Sequence, residues 1–216
     1  MPEVTETPDA TRGSPHARAR GPYRTGVRRR AQVIDATMEV FAQHGYAGGS
    51  IRAIAERAGV SHATLIQHFG SKERLLIAVL EEWDRRTVAE GLADASGLDY
   101  FRRLPEVMAS HQANRGLLEL FTTLAAEASS PTHPAHDFIE HRYATNLATL
   151  AGHLGDAVRD GDVVPMTDAQ IMIEVRLLTA VMDGIGLQWL LDPSTDVAGA
   201  MSACVERAVT AWRTQD

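Results

Sequence analysis

A short run of polar side chains has the residue types and the spacing to contact the edges of DNA bases. The polar residues Ser61, His62, Thr64, Gln67 and His68 share the outer face of a short predicted helix with the small residue Ala63. A glutamine can pair bidentately with adenine, and a threonine methyl group can contact the methyl group of thymine. We therefore expect Gln67, His62 and Thr64 to be the residues that read bases.

A second set of residues flanks this face and suits contacts with phosphates. Lys72 begins the next predicted helix, where its charge adds to the free backbone N–H groups of a helix start. Arg52 and Ser50 lie at the preceding helix, and Arg28 and Arg29 belong to an arginine run further upstream. Such groups position a protein on the DNA backbone without reading its sequence.

Each of these assignments has a purely local alternative. Ser50 and Ser61 have the residue type and position of helix N-caps, so capping is an equally good account of both. His68 is adjacent to Phe69 and has packing as its alternative role.

Three short helices position these side chains. Apolar residues at intervals of three and four predict a first helix from Arg28 that ends at Gly45, a second from Ser50 to Ala58, and a third from Ser61 to Phe69. The connection from Ala58 to Ser61 is a short turn with a glycine, as in a helix-turn-helix. Residues 28–72 are therefore predicted to be a DNA-binding domain.

The charge distribution agrees with this assignment although the net charge is -7. Residues 1–72 carry a net charge of +4, and residues 73–216 carry -11. Residues 1–27 contain four prolines and no apolar periodicity, which predicts a disordered, arginine-rich arm. Such an arm can lie along phosphates or in a minor groove, or it can be a solvated tail.

The segment from Arg30 to Leu76 resembles the TetR family of bacterial transcriptional regulators. The resemblance rests on Val40-Phe41-Ala42, Gly45-Tyr46, Ser50 to Ala55, Ala58 to Ser61, Thr64-Leu65 and His68 to Leu76, in this order. It implies a dimeric, DNA-binding protein with a helix-turn-helix at one end. It also implies the same DNA-facing residues that the helix geometry indicates.

Residues 73–216 are predicted to form a larger helical domain for ligand binding and dimerisation. After the helix that begins at Lys72, helical segments are expected near 99–113, 116–129, 136–159, 168–191 and 196–213. Thr167 and Gln170 have the spacing of a capping box at the start of the fourth of these segments. The whole chain is thus predicted to be all-α, with about nine helices.

The last two helices are the predicted homodimer interface. The segment 171–191 is apolar on nearly every side, so that burial against one neighbour leaves a second apolar face in water. The final helix adds an apolar row, namely Val197, Met201, Val205, Val209 and Trp212. A four-helix interface between two subunits would cover both. The alternative is a fully buried core within one subunit.

The remaining helices are expected to enclose a pocket for a small-molecule effector. The candidate ligand-binding residues are Trp83, Met108, His111, Leu117, Phe121, Thr122, Glu127, Arg142, Tyr143, Asn146, Met182 and Gln188. Each of them has core packing as its alternative role. Glu127 shares a face with Leu120 and Leu124, and we expect either an ion pair with Arg142 or a contact with the ligand.

Other functions find less support in the sequence. His133, His136 and His141, with Asp137 and Glu140, match no specific metal motif, and we expect solvated histidines and no metal site or cofactor. No phosphate loop, Gly-x-Ser-x-Gly or His-Glu-x-x-His motif indicates an enzyme. No membrane span or secretory signal is recognisable, and Cys204 is the single cysteine, so a cytoplasmic protein is expected.

The sequence therefore predicts a repressor that binds a palindromic, double-stranded operator and is released by an effector. The alternatives are an effector-independent regulator, an activator, an adaptor that binds only proteins, and a helical enzyme.

Overall fold

The computed structural model describes residues 22–48 and 50–214, and their ordered elements are all helices. In chain order these are α1 (Pro22–Gly48), α2 (Ile51–Arg57), α3 (His62–Phe69), α4 (Lys72–Gly91), α5 (Gly97–Arg102), α6 (Leu104–Ala113), α7 (Arg115–Glu127), α8 (His136–Asp160), α9 (Asp168–Leu191) and α10 (Val197–Arg213). The all-α class is confirmed. The described residues form ten helices because the segment predicted near 99–113 divides at Arg103 into α5 and α6.

The first helix is longer than the sequence pattern predicts. It begins at Pro22, so the expected boundary between residues 27 and 28 falls inside α1, and it continues past Gly45 to Gly48. Proline suits the first turn of a helix, where its missing N–H would have no partner. Residues 1–21 of the predicted arm lie outside the described residues.

Helices α1 to α3 bury one small apolar core. Val33 and Phe41 of α1, Ile54 of α2 and Leu65 of α3 are completely buried. At the edge of this core the Arg57 Nε donates to a Glu39 carboxylate oxygen at 2.7 Å and so ties α2 to α1. The Arg30 guanidinium lies 5.3 Å from the centre of the Phe69 ring, which connects α3 to α1 in the same way.

Helix α4 connects this core to the larger helical domain. Its buried face runs from Leu75 and Leu76 through Val79 and Leu80 to Trp83. Ser71 caps its first turn by accepting a hydrogen bond from the backbone N–H of Arg74. One continuous helix therefore spans the distance between the two domains.

The larger domain is held together by packing around α10. The Trp212 ring packs edge-to-face on Phe101 of α5 with ring centres 5.0 Å apart. Its indole Nε1 donates to the Glu174 carboxylate of α9 at 2.9 Å. The predicted capping box at the start of α9 is confirmed, since Thr167 and Gln170 exchange hydrogen bonds.

The two faces of α9 have different surroundings. Val175, Leu178 and Trp189 are buried, whereas an apolar row on the other face is exposed and consists of Ile173, Leu177, Leu187 and Leu191.

The expected apolar row of α10, by contrast, is not exposed on the surface of the subunit. Val197, Met201, Val205, Val209 and Trp212 all pack into the core of their own subunit, because α10 needs them to close the domain. Assigning them to the dimer interface was wrong.

Among the helices of residues 22–48 and 50–214, none is both long enough and apolar enough to cross a membrane.

The backbone at Gly59 supplies a test of the turn between α2 and α3. Gly59 has a φ of +63°, and a Cβ built there would contact nothing within 4 Å. We expect Gly59→Ala to lower the free energy of unfolding by about 1 kcal/mol through backbone strain alone. The measurement is urea unfolding followed by circular dichroism.

Gly152 is the matched control for this substitution. It lies inside α8, is exposed, and also leaves a Cβ with no neighbour within 4 Å. There the same change to alanine should raise the free energy of unfolding by roughly 0.5–1 kcal/mol, because alanine restricts the unfolded chain and favours a helix. Equal effects of both substitutions would contradict the described turn.

Candidate functional site

The turn between α2 and α3 is fixed by hydrogen bonds at both helix ends. The backbone N–H of Gly59 donates to the Glu56 carbonyl, and that of Val60 donates to the Ala55 carbonyl. Ser61 then caps α3 by accepting from the Thr64 N–H at 3.0 Å. These contacts end α2, reverse the chain and start α3 within a few residues, as a helix-turn-helix requires.

The outer face of α3 is exposed and polar. His62, Ala63, Gln67 and His68 are all exposed. Thr64 is half-buried, and its hydroxyl lies 2.9 Å from the Ser61 hydroxyl. That contact uses one hydrogen-bonding position of each hydroxyl, so both the Thr64 hydroxyl and its methyl group can still contact a base.

The predicted phosphate-binding residues belong to α1, α2 and the start of α4. Arg52 on α2 and Arg28 and Arg29 on α1 are exposed, and Lys72 is half-buried at the start of α4. Ser50 is exposed and accepts a hydrogen bond from the Ala53 N–H, so it does cap α2. Contact of these residues with phosphates stays a prediction.

Ser71 is a further residue at this end of α4, and the sequence analysis assigns it no role. Its side chain caps α4 immediately before Lys72, at the end of the helix that faces α3. The sequence signal for this capping role is a serine, a preferred N-cap residue, directly before the helix that begins at Lys72.

A partly open cavity of about 350 Å³ lies in the larger domain between α4, α5, α6, α7, α8 and α9. Nine of the twelve predicted ligand-binding residues line it, namely Trp83, Met108, His111, Phe121, Thr122, Arg142, Tyr143, Asn146 and Met182. The volume falls in the range of sites for small organic molecules. The structure thus brings most of the expected set together around one space.

Three of the predicted residues do not line this cavity. Leu117 is completely buried in the core, and Gln188 is exposed on α9. Glu127 is exposed at the end of α7, and its carboxylate lies 3.8 Å from the His133 Nε2. The proposed pair with Arg142 is therefore wrong, because Glu127 lies beyond the last buried turn of its helix.

Two aspartates on the cavity wall were missed by the sequence analysis. Asp84 and Asp183 follow the predicted residues Trp83 and Met182 directly in the sequence, and both line the cavity. Acidic residues next to an apolar stripe are usually solvated, so their types gave no reason to select them. The available signal was their position beside pocket residues on helices that converge.

Arg142 and Asp84 form a bidentate ion pair across the cavity. The Arg142 Nε and Nη2 atoms each donate to a carboxylate oxygen of Asp84 at 2.7 Å. The guanidinium also lies over the Phe121 ring, 4.1 Å from its centre. Arg142 on α8 is thus bound at once to α4 and to α7, with 12% of its side chain exposed.

His111 also lines the cavity, as a neutral side chain. Its ring centre is 4.7 Å from that of Trp83. Burial, with a smaller effect from the Arg142 guanidinium, lowers the pKa of His111 to about 4. The imidazole therefore contributes hydrogen-bonding groups but no charge near neutral pH.

Asp183 and Tyr143 form a second polar contact on the wall. The Tyr143 hydroxyl donates to an Asp183 carboxylate oxygen at 2.8 Å. Poorly solvated surroundings raise the pKa of Asp183, and the hydrogen bond and Arg142 offset this only in part. Burial, and then the nearby carboxylate, also raise the pKa of Tyr143, so the phenol keeps its proton and acts as the donor.

The histidine-rich segment gathers three groups of metal-ligand type near the start of α8. Ligand atoms of His136, Asp137 and Glu140 lie within 4.8 Å of one another. His136 already contacts the Ala128 carbonyl through Nδ1 at 2.8 Å, and the two carboxylates are exposed. His133 and His141 are not members of this group.

Comparison with known proteins identifies relatives for both domains. The model described as bacterial regulatory proteins, tetR family, matches residues 33–79. The chain is 26% identical over 158 residues to the HTH-type transcriptional regulator UidR of Escherichia coli strain K12, which covers 72% of this chain and 79% of UidR. It is 27% identical over 186 residues to the HTH-type transcriptional repressor AcnR of Corynebacterium diphtheriae, which covers 84% and 91%.

A solved structure shares the whole architecture. The transcriptional regulator FadR from Bacillus subtilis, in complex with stearoyl-CoA, superposes with a TM-score of 0.66 at 20% identity, covering 83% of this chain and 97% of FadR. At this identity the likeness shows the common fold. Residues 33–79 are thus a helix-turn-helix of the tetR family of bacterial regulatory proteins, and together with the relatives and the common fold they indicate a DNA-binding transcriptional regulator of this kind.

Proposed function

We propose that the chain is a homodimeric repressor that leaves a palindromic operator when a small molecule occupies the cavity. The observation that carries this proposal is the course of α4, which starts beside α3 at Lys72 and lines the cavity with Trp83 and Asp84. The repressor AcnR and the stearoyl-CoA complex of FadR, at 27% and 20% identity, are consistent with both parts of the proposal.

Contact with the operator is assigned to the exposed face of α3. Gln67 and His62 are the proposed base readers, and Arg52, Arg28, Arg29 and Lys72 are the proposed phosphate contacts. Ser50 and Ser61 act mainly as caps that hold the two helices at their working angle. Since operator DNA lies in the bacterial cytoplasm, this function requires the protein to work there.

Dimerisation is assigned to the exposed apolar row of α9. Exposure of four leucine and isoleucine side chains on one helix face to water has an unfavourable free energy. A second copy of the same face would cover them. The exposed side of α10 next to it carries small residues, including Ala200 and Ala203, which allow close approach of a partner helix. Two helix-turn-helix units in a two-fold dimer match a palindromic operator.

Release requires that the ligand favour one arrangement of the dimer over another. A ligand shifts DNA affinity only by its differential affinity for the two arrangements. Two cavity elements lead away from the ligand: α4 leads to α3, and Leu187 on α9 belongs both to the cavity wall and to the proposed dimer face. A ligand in the cavity can therefore change the positions of the DNA-binding units by two routes. One runs along α4 to α3 within a subunit, and the other runs through α9 to the partner subunit.

The role of Gln67 is tested by selecting bound fragments from random duplex DNA. Gln67→Ala should weaken binding of the selected sequence by about 1–3 kcal/mol and relax the preference at one position of each half-site. Gln43→Ala, the same change at an exposed position of α1, should alter neither quantity. An unchanged sequence preference in the Gln67 variant would remove this residue from the set of base readers.

The dimer face is tested by placing a charge in its apolar row. Leu177 is 58% exposed, and Leu177→Glu should raise the dimer dissociation constant roughly 100-fold, because the interface would bury an unpaired carboxylate. Sedimentation equilibrium measures this constant. Val27→Glu, at a residue that is 56% exposed on α1, should leave it unchanged. A Leu177 variant that dimerises like the original chain would show that another surface forms the interface.

A further inference from the structure

The cavity wall carries three charged side chains, and their signs do not balance. Asp84, Arg142 and Asp183 line the space, whereas His111 is neutral. Two carboxylates thus face one guanidinium within a wall that is otherwise mostly apolar and aromatic. An uncompensated charge in such surroundings favours a ligand of opposite sign.

The guanidinium of Arg142 is already paired with Asp84. It gives two hydrogen bonds to Asp84, and its flat face lies on the Phe121 ring. The Arg142–Asp84 pair carries no net charge, so an anion that binds the remaining N–H groups of Arg142 is also repelled by the Asp84 carboxylate. The net stabilisation of an anion at this pair is therefore small.

Asp183 is the carboxylate that makes no ion pair at contact distance, and Arg142 acts on it only from farther away. It accepts one hydrogen bond, from Tyr143, and no Lys, Arg or His within the described ranges lies within 4 Å of it. The side chain is exposed at the edge of the cavity, next to Leu187, so a ligand group can reach it from solvent. The Tyr143 ring beside it is of the kind that binds organic cations through its face.

We propose that the effector is an amphiphilic cation whose amine or quaternary ammonium group pairs with Asp183 and whose apolar part fills the cavity. The inference rests on the proposed function, since it names the ligand class of the same cavity. Apolar side chains from several helices, including Val107, Met108 and Leu118, provide the surface for the apolar part of the ligand. The Arg142–Asp84 pair stays intact and forms part of the wall.

Titration calorimetry with three matched probes tests this assignment on the full chain. The probes share a phenylbutyl group and end in a cation, a neutral group or an anion: trimethyl(4-phenylbutyl)ammonium, 4-phenyl-1-butanol and 5-phenylpentanoate. At one fixed ionic strength the ammonium probe should bind about tenfold more tightly than either of the others, because only it pairs with Asp183.

The Asp183→Asn variant isolates the charge. Asparagine keeps an oxygen that can accept the Tyr143 hydrogen bond, so binding of the alcohol should be unchanged, while the affinity for the ammonium probe should fall about tenfold. Asp162→Asn removes the same charge from an exposed position outside the cavity and should change none of the affinities.

Two results would overturn the proposal: an ammonium probe that binds no better than the alcohol or the carboxylate, or an Asp183 variant that binds it within about twofold of the original chain. Operator binding, measured with each probe, separates this failure from that of the proposed function. Release by the carboxylate or the alcohol alone would keep the proposed function and refute the ligand class. Release by none of the probes, despite ammonium binding through Asp183, would keep the ligand class and refute the proposed release.

Discussion

The short turn between α2 and α3 is the constraint on which the other features depend. Gly59 adopts a backbone conformation that other residues rarely take, and Ser61 caps α3 directly after it. Together they hold the exposed face of α3 at one angle to the buried core of α1 and α2. If the recognition helix were held less firmly, it would have to become ordered on entering a groove of the DNA. The entropy cost of this ordering would weaken binding. In the proposed function, the dimer and the cavity act on base recognition through this fixed unit.

The cavity is built as a junction between helices rather than as a separate site. Arg142 on α8 contacts Asp84 on α4 and Phe121 on α7, so that three helices meet at one guanidinium. This side chain is almost buried, and a buried charge persists only with its partners in place. A molecule that enters the cavity packs against Arg142 and its partners. Because one of these partners, Asp84, lies on α4, a change at the cavity can pass along α4 to α3.

The fold and the DNA-binding face were largely accessible from the sequence, and the details of the cavity were not. Caps and glycines are local signals, so Ser50, Ser61 and Thr167 identified helix starts correctly. Asp84 and Asp183 were missed because their role depends on which helices converge, which one helix pattern does not encode. The apolar row of α10 was misassigned for a related reason, since periodicity shows that a face is buried but not whether its own subunit buries it.

Hydroxyl-radical footprinting on a selected duplex tests the central claim most directly, namely that two copies of α3 enter successive major grooves. The account predicts two protected regions related by two-fold symmetry, with centres about 10 base pairs apart or a multiple of that, and two chains per duplex. A single protected region, or one chain bound per duplex, would contradict it.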